Sequence, residues 1–461
     1  MTIRYIVLSV WFAWIIVALI LLFNAGSSTA LISLYAVYLL FGTTVLLLKR
    51  KDLLSPPGIF TLGALVGFGL NIPLIVSGYL IPDRPISDDT MVKVLVVLLC
   101  ANAGFMAGYL VKLHKLMPTN WIVAVKSPAR TVGIGSYILL ACWVLIAGFI
   151  RIRFHLGEAG IQPLIQSGYI KAGYIQYVLY EGVLILSLWY LSQALSRGSF
   201  YILLGISLLL GTTVIQALLA WRGGIAHILV LTIVLFWYEK KMYQKHNAGF
   251  FLWLVLPVLL LNPIIEYGNA IRVQRLGGDI KFTREDYARK LLMRSQGTVR
   301  LADVVDYFGP VTFTNNFFIV ELSAKGLSTT KFIDQKVYGV LPRQSNSFGT
   351  SGPGGPYVAM GLVGVFLAYA LLGGFYRSIY RNIFISRTGA LNAMSVVWYA
   401  LLTYNLLALL TENFNISNIK TFIAIAAQVY VYKLFLYKRH AARAVRATEP
   451  PYLIAAQRQL T

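Results

Sequence analysis

Two kinds of side chain in this sequence suit chemistry: arginines that can grip phosphate, and carboxylates or histidines that can move a proton. Most fall at the same ends of long apolar runs. Glu181 lies a turn into one run, Glu266 and Arg272 flank the end of another, and Glu412 closes a third. Arg222 opens the tight link Trp221-Arg222-Gly223-Gly224, and His227 follows just inside the next run. An ionisable group at a bilayer centre costs about 2.5 kcal/mol or more, so such groups pair or line a wet site. Simpler roles exist for each. The glutamates suit helix ends near water, His227 suits a packed imidazole, and Arg222 can snorkel to a lipid phosphate. Arg222 nevertheless lies on the side that the charge distribution disfavours for arginine. Its two neighbouring glycines let a ligand approach the backbone closely.

A second set of cations lies in the segment 269–354, which holds twelve basic residues against seven acidic ones. Solvation and pairing on helix faces account for many of them. Arg272 and Arg275 at one end and Arg343 at the other differ, because both ends of the segment must return to the membrane and so can meet over one site. The planar guanidinium fork suits phosphate oxygens at an interface. No Walker A motif, HExxH, CxxC, nucleophile elbow or dinucleotide fingerprint occurs, and no Asp/His/Glu cluster has metal-ligand spacing. Catalysis here would therefore use arginines where other enzymes use a divalent cation, with no metal and no cofactor.

The elements that must hold these residues are membrane helices. The 461 residues are 58% hydrophobic and only 12% charged, against roughly 25% charged in a soluble domain. The apolar residues form runs of about twenty, long enough for a hydrocarbon core of about 30 Å, and they lack the alternation of a barrel. Spans are expected near 4–23, 29–48, 59–80, 91–112, 131–150, 176–196, 200–220, 223–238, 249–268, 355–376, 388–411 and 418–437. The expected fold is thus all-α and polytopic, with about twelve transmembrane helices. Helices one to nine occupy 1–268, a large partly helical periplasmic loop 269–354, helices ten to twelve 355–437, and a tail 438–461. Within the loop, Thr283-Arg284-Glu285-Asp286 resembles a capping box ahead of Tyr287–Arg294, and Asp303–Tyr307 suggests another turn or two. The Gly/Pro-rich stretch from Ser345 to Leu362 reads as irregular backbone just before span ten.

The net charge of +23 follows topology. Lys49–Lys51, 112–130, Arg197, Lys240 and Lys241, Arg377, Arg381, Arg387 and the tail from Lys438 to Arg446 all fall on one side, which the positive-inside rule makes cytoplasmic. Both termini are then cytoplasmic, and the first run reads as an uncleaved anchor. No basic helix or aromatic-interleaved patch points to nucleic acid. Cys100 and Cys142 lie inside apolar runs and read as packing residues.

The arrangement resembles the Wzy-type oligosaccharide repeat-unit polymerases of O-antigen, enterobacterial common antigen and capsule pathways. Three features carry the resemblance: Trp221-Arg222-Gly223-Gly224 entering a helix, a large outer loop late in the chain, and Val340-Leu341-Pro342-Arg343 followed by a Gly-rich run and Pro356–Gly364. Many members have Ser or Thr before the arginine where this chain has Trp221. The resemblance implies a metal-independent glycosyltransferase of the bacterial inner membrane, with its site facing the periplasm. It would join repeat units carried on undecaprenyl diphosphate, in the bilayer, alongside a chain-length-determining co-polymerase. It further implies a diphosphate clamp of Arg222, Arg272 and Arg343, with Arg275 as a fourth member and Gly223 and Gly224 beside it. A base would come from Glu266, ahead of Glu181 and His155. Arg153, Tyr169, Tyr174, Tyr287 and Tyr357 would bind sugar, the tyrosines by stacking. The alternatives are an O-antigen ligase of the same chemistry, a polysaccharide transporter or flippase with broken helices at mid-depth, and a scaffold in an export complex. The topology is directly testable. An alkaline phosphatase fusion within 269–354 is expected to be active and one after Lys241 inactive; the opposite pattern would invert the orientation.

Overall fold

A computed structural model describes residues 3–49, 52–79, 85–111, 223–239, 297–309, 351–385 and 393–411. It adds isolated positions between 138 and 211 and between 336 and 339. The described residues are helical, with no strand beyond a single bridge position at Ser351. The chain runs through α1 (Ile3–Asn24), α2 (Thr29–Leu48), α3 (Pro56–Ala64), a π-helical turn (Leu65–Gly69) and α4 (Asn71–Val76). Then come α5 (Asp88–Leu110), α6 (Gly223–Glu239), α7 (Gly297–Phe308), α8 (Gly354–Tyr380), a second π turn (Arg381–Ile385) and α9 (Ala393–Thr411). Among the described residues four stretches are long and apolar enough to cross a membrane: Thr29–Leu48, Pro56–Val76, Asp88–Leu110 and Gly354–Phe384. The spans expected near 249–268 and 418–437 and the tail lie outside the described residues, and those near 131–150, 176–196 and 200–220 are described only at isolated positions.

Local chemistry fixes the helix starts. Ser28 caps α2, its hydroxyl accepting from the Leu31 amide, and Ser87 caps α5 by accepting from Thr90. Asp88 and Asp89 follow in the first turn of α5, where the helix dipole favours negative charge. The Asp88 carboxylate also accepts from the Ser28 amide at 2.8 Å, which ties the starts of α2 and α5 together.

α5 and α8 make the most extensive helix pairing of the bundle. They run parallel with no side chain between their backbones. A methyl group added at Gly104 would meet the Phe366 carbonyl oxygen at 2.5 Å, one at Gly108 the Ala370 oxygen at 1.7 Å, and one at Gly373 the Phe105 oxygen at 2.1 Å. Gly104 and Gly108 make a small-xxx-small pair, the pattern that lets membrane helices approach closely when lipid supplies no hydrophobic drive. Phe60 of α3 stacks flat on Phe105 with centroids 4.0 Å apart, bringing a third helix onto the seam.

Two of the crossing segments are broken, where uninterrupted helices were expected from the sequence. In the third, Pro73 has no N–H to give Gly69 and its ring crowds that carbonyl. The chain responds with the π turn, in which the Leu70 amide reaches back to Leu65. Side chains take up carbonyls around it. The Tyr35 hydroxyl donates to Gly69 and Tyr38 to Ala64, both at 2.8 Å, and Thr298 of α7 donates to Phe68 at 3.3 Å. In α8 the break is at Met360 and Gly361, the latter at φ 61° and ψ −148°, where a side chain would be strained. The Cys100 thiol donates to the Leu362 carbonyl just beyond, so the break lies near the middle of α5. Helix therefore begins at Gly354, inside the stretch from Ser345 to Leu362 that reads as irregular, and from Gly354 to Leu362 only Met360 and Gly361 depart from it.

The loop helix also differs from expectation. α7 spans twelve residues, more than the turn or two expected at Asp303–Tyr307. It is packed into the bundle against α5, α8 and the first π turn. Leu301, Ala302, Val304 and Val305 are buried. On α8, the exposed Leu362, Val363, Phe366, Leu367 and Leu371 form a stripe suited to lipid.

Overpacking a core costs about 1–3 kcal/mol when neighbours can give way. At Gly108 the neighbour is a backbone carbonyl that cannot. Gly108→Leu is expected to abolish the folded protein in detergent, read by size-exclusion profile and thermal unfolding. Gly148→Ala, with nothing within 4 Å, should leave both unchanged.

Candidate functional site

The bundle has two chemically different ends. One gathers Lys49, Arg377 and the start of the second π turn at Arg381, and holds the ends of α2, α5, α6 and α8. The other holds the starts of α2, α5 and α8 and the ends of α4, α7 and α9. Leu110 and Gly223 lie at opposite ends, as do Glu239 and Gly354.

Three polar contacts join α7 to the bundle, two of them at the second end. The Thr90 hydroxyl donates to the Asp306 carboxylate at 3.2 Å, Thr298 holds Phe68, and the Tyr357 hydroxyl donates to the Gly309 carbonyl. The Gly352 amide donates to Leu410 of α9 at 3.0 Å. The chain thus leaves α7 at Gly309 and returns at Ser351 beside the same helices. Lys93 pairs with Asp89 one turn above it in α5.

Of the candidate site residues, four are described. Gly223 and Gly224 are the first residues of α6, so their amides belong to the unpaired first turn of a helix. Arg153 is helical and exposed. Tyr357 is 5% exposed, and its hydroxyl is engaged with the Gly309 carbonyl. That bond fastens α8 to the end of α7. Arg222, Arg272, Arg275, Arg343, Glu181, Glu266, His155, Tyr169, Tyr174 and Tyr287 lie outside the described residues, as does Glu412. So does the side chain of His227. Among the described residues no group of three His, Cys, Asp or Glu side chains could hold a metal ion.

The basic end contains a cluster that sequence reasoning missed. Asp52, in the loop between α2 and α3, is largely buried. Its Oδ1 accepts from the Trp237 indole at 3.0 Å, the Tyr238 hydroxyl lies 3.1 Å from both oxygens, and Tyr380 donates to Oδ2. Tyr399 donates to the Leu54 carbonyl at 2.7 Å. The rings of Tyr238, Tyr380, Phe384 and Tyr399 pack on one another, with centroids 4.2 to 5.7 Å apart. The carboxylate therefore joins α6 and α8 to the turn after α2. A charged residue in a short polar loop ordinarily marks topology, and only the distant aromatic residues distinguish this one.

Compared with known proteins, the chain matches no family model, no curated protein and no solved structure.

Burial pushes the Asp52 carboxyl above the ordinary carboxylate range, against the opposing pull of Tyr380, Trp237, Tyr238 and Lys49. The folded protein then keeps this proton to higher pH than the unfolded chain does. Stability is expected to fall as pH climbs from the ordinary carboxylate range through the folded pKa, and to level off above it. Thermal unfolding across that range should show the slope in the native sequence and lose it in Asp52→Asn. An identical slope in both would assign it to other groups.

Proposed function

We propose that the chain is a membrane glycosyltransferase that polymerises undecaprenyl-diphosphate-linked oligosaccharide repeats on the periplasmic face of the bacterial inner membrane. In this reading the basic end of the bundle is cytoplasmic. The acceptor hydroxyl of one repeat attacks the anomeric carbon of the glycan held on the lipid carrier. The bond from that carbon to the diphosphate breaks, the hydroxyl proton passes to a base, and undecaprenyl diphosphate leaves. Arg222, Arg272 and Arg343 grip the departing diphosphate, with Arg275 beside them, and Glu266 is the base ahead of Glu181 and His155. Arg153, Tyr169, Tyr174 and Tyr287 hold sugar, and a chain-length-determining co-polymerase is a partner.

The observation that carries the reading is the convergence of chain at the end away from the basic cluster. Arg222 is bonded directly to the first residue of α6. That helix packs against α9, and its other end meets Tyr399 there, with Tyr238 and Tyr399 centroids 5.3 Å apart. The two helices therefore run antiparallel, and the start of α6 belongs to the layer in which Leu410 accepts from Gly352. Arg343 is eight residues before Ser351, within about 28 Å of it even if fully extended. Arg222 thus adjoins that layer, Arg343 is within chain reach of it, and α7, the described helix of the outer segment, is packed beside it. Glycine amides opening a helix behind an arginine suit an anionic ligand.

A transporter or flippase is the second reading, and one observation favours it. The Met360–Gly361 break and the Leu65–Gly69 π turn interrupt two crossing segments part-way along, as in transport proteins with discontinuous helices. A ligase working on a lipid A-core acceptor shares the chemistry of the first reading. Purified chain in nanodiscs, given lipid-linked repeats and no nucleotide sugar, is expected to extend them. Arg222→Ala should lower that rate by about 10²-fold or more, the scale of losing one preorganised charge contact at a leaving group. Repeat movement across vesicles without extension would overturn the polymerase reading in favour of transport. Unchanged glycan length in cells carrying normally expressed Arg222→Ala would favour a scaffold.

A further inference from the structure

Asp52 and Lys49 belong to one turn, closed by the Asp52 amide donating to the Lys49 carbonyl at 2.8 Å. Their side chains point to different partners. The Lys49 ammonium stands 5.5 Å from the centre of the Tyr109 ring, while Asp52 faces Trp237, Tyr238 and Tyr380. Arg377 stands on the same Tyr109 ring at 5.7 Å, and its guanidinium donates to the carbonyls of Tyr109 and Leu110. Two cations share one ring, and the arginine is tied down by backbone bonds. Lys49, on a flexible stem, is the one free to leave.

We propose that Asp52 and Lys49 form a proton-operated clasp at the basic end of the bundle. With the carboxyl protonated, Asp52 is neutral, its hydroxyl donates to the Tyr238 oxygen, and Lys49 rests on Tyr109. The Tyr238 hydroxyl, equidistant from both carboxyl oxygens, suits this reversal because a phenol can donate to a carboxylate or accept from a carboxyl. When the proton passes to water, the O–H bond breaks and the charge stays on Asp52. That charge draws Lys49 off the ring and into an ion pair, while the indole and both tyrosines donate to the carboxylate. Both states satisfy every partner, which makes the element two-state rather than graded.

Among the described residues the titratable and charged groups facing Asp52 are few. Lys49 comes from the cap that ends α2, Tyr109 from α5, Tyr238 from α6, Tyr380 from α8 and Tyr399 from α9. Arg377 of α8 stands beyond Tyr109. Lys49 is the sole cation among those that act on Asp52 directly. Movement of Lys49 leaves Tyr109 with Arg377 alone, and so alters the seam between the turn after α2 and the ends of α5 and α8. A change of pH on the cytoplasmic side would reach the helix pair that holds the broken segment. The clasp does not depend on the proposed glycosyl transfer.

The test is infrared titration of the full chain in lipid nanodiscs. A carboxyl C=O band that fades as pH rises is expected in the native sequence and is expected to be missing from Asp52→Asn. Lys49→Met should move the midpoint of that band upward, because ionisation loses its cation. Lys93→Met, whose lysine pairs with Asp89 at the far end of α5, should leave the midpoint in place. If Asp52→Asn does not fold, the shift in Lys49→Met against Lys93→Met decides the matter. A band that survives in folded Asp52→Asn, or a midpoint unmoved by Lys49→Met, would overturn the clasp.

Discussion

The described structure depends on contact between two backbones. α5 and α8 touch at Gly104, Gly108 and Gly373, where carbonyl oxygens occupy the volume that side chains would fill. In a bilayer the tails are as apolar as leucine, so burial of apolar surface does little to hold helices together. Close dispersion contact and interhelical hydrogen bonds must do so, the latter averaging about 0.6 kcal/mol each. Everything else is registered to this seam. Phe60 brings the third crossing segment to it, α7 lies along it, and the break in α8 is positioned by it.

That registry explains how irregular backbone survives in the interior of the bundle. A carbonyl without a donor in hydrocarbon costs several kcal/mol. At the π turn, hydroxyls from α2 and α7 meet such carbonyls. Beside Gly361 the Cys100 thiol meets another. Tyr35, Tyr38, Thr298 and Cys100 are therefore spent on the backbones of neighbouring segments. The one described carboxylate held by several side-chain donors, Asp52, serves a similar joining purpose at the basic end.

Helix positions were legible because they rest on local signals. α2 matches its expected bounds of 29–48 because Ser28 caps it and a lysine follows, and α6 ends within a residue of expectation. What escaped was non-local or over-smoothed. Hydropathy averages across Pro73, although its missing donor at Gly69 is readable in principle. Gly104 and Gly108 carry the small-xxx-small spacing, yet only their partner helix, more than 250 residues on, gives it meaning. α7 was expected only as a turn or two at Asp303–Tyr307, because its apolar face is short and interrupted by charge. The Asp52 cluster draws donors from 185, 186 and 328 residues away, and nothing near Asp52 announces them. The burial of Tyr357 also escaped, because an aromatic residue in a glycine-rich stretch gives no sign of it.

The glycine seam also sets the order in which this protein can be built. Contact across it joins residues 262 positions apart, as between Cys100 and Leu362. At about 5–20 residues per second, a ribosome needs roughly 13–50 s to reach the second helix after completing the first. For that interval the groove over Gly104 and Gly108 stands in the membrane without its mate, lined with small residues that grip any helix able to approach. A nascent chain in that state is selective about company, and the shape that makes the mature bundle tight makes its assembly sensitive to whatever else occupies the bilayer.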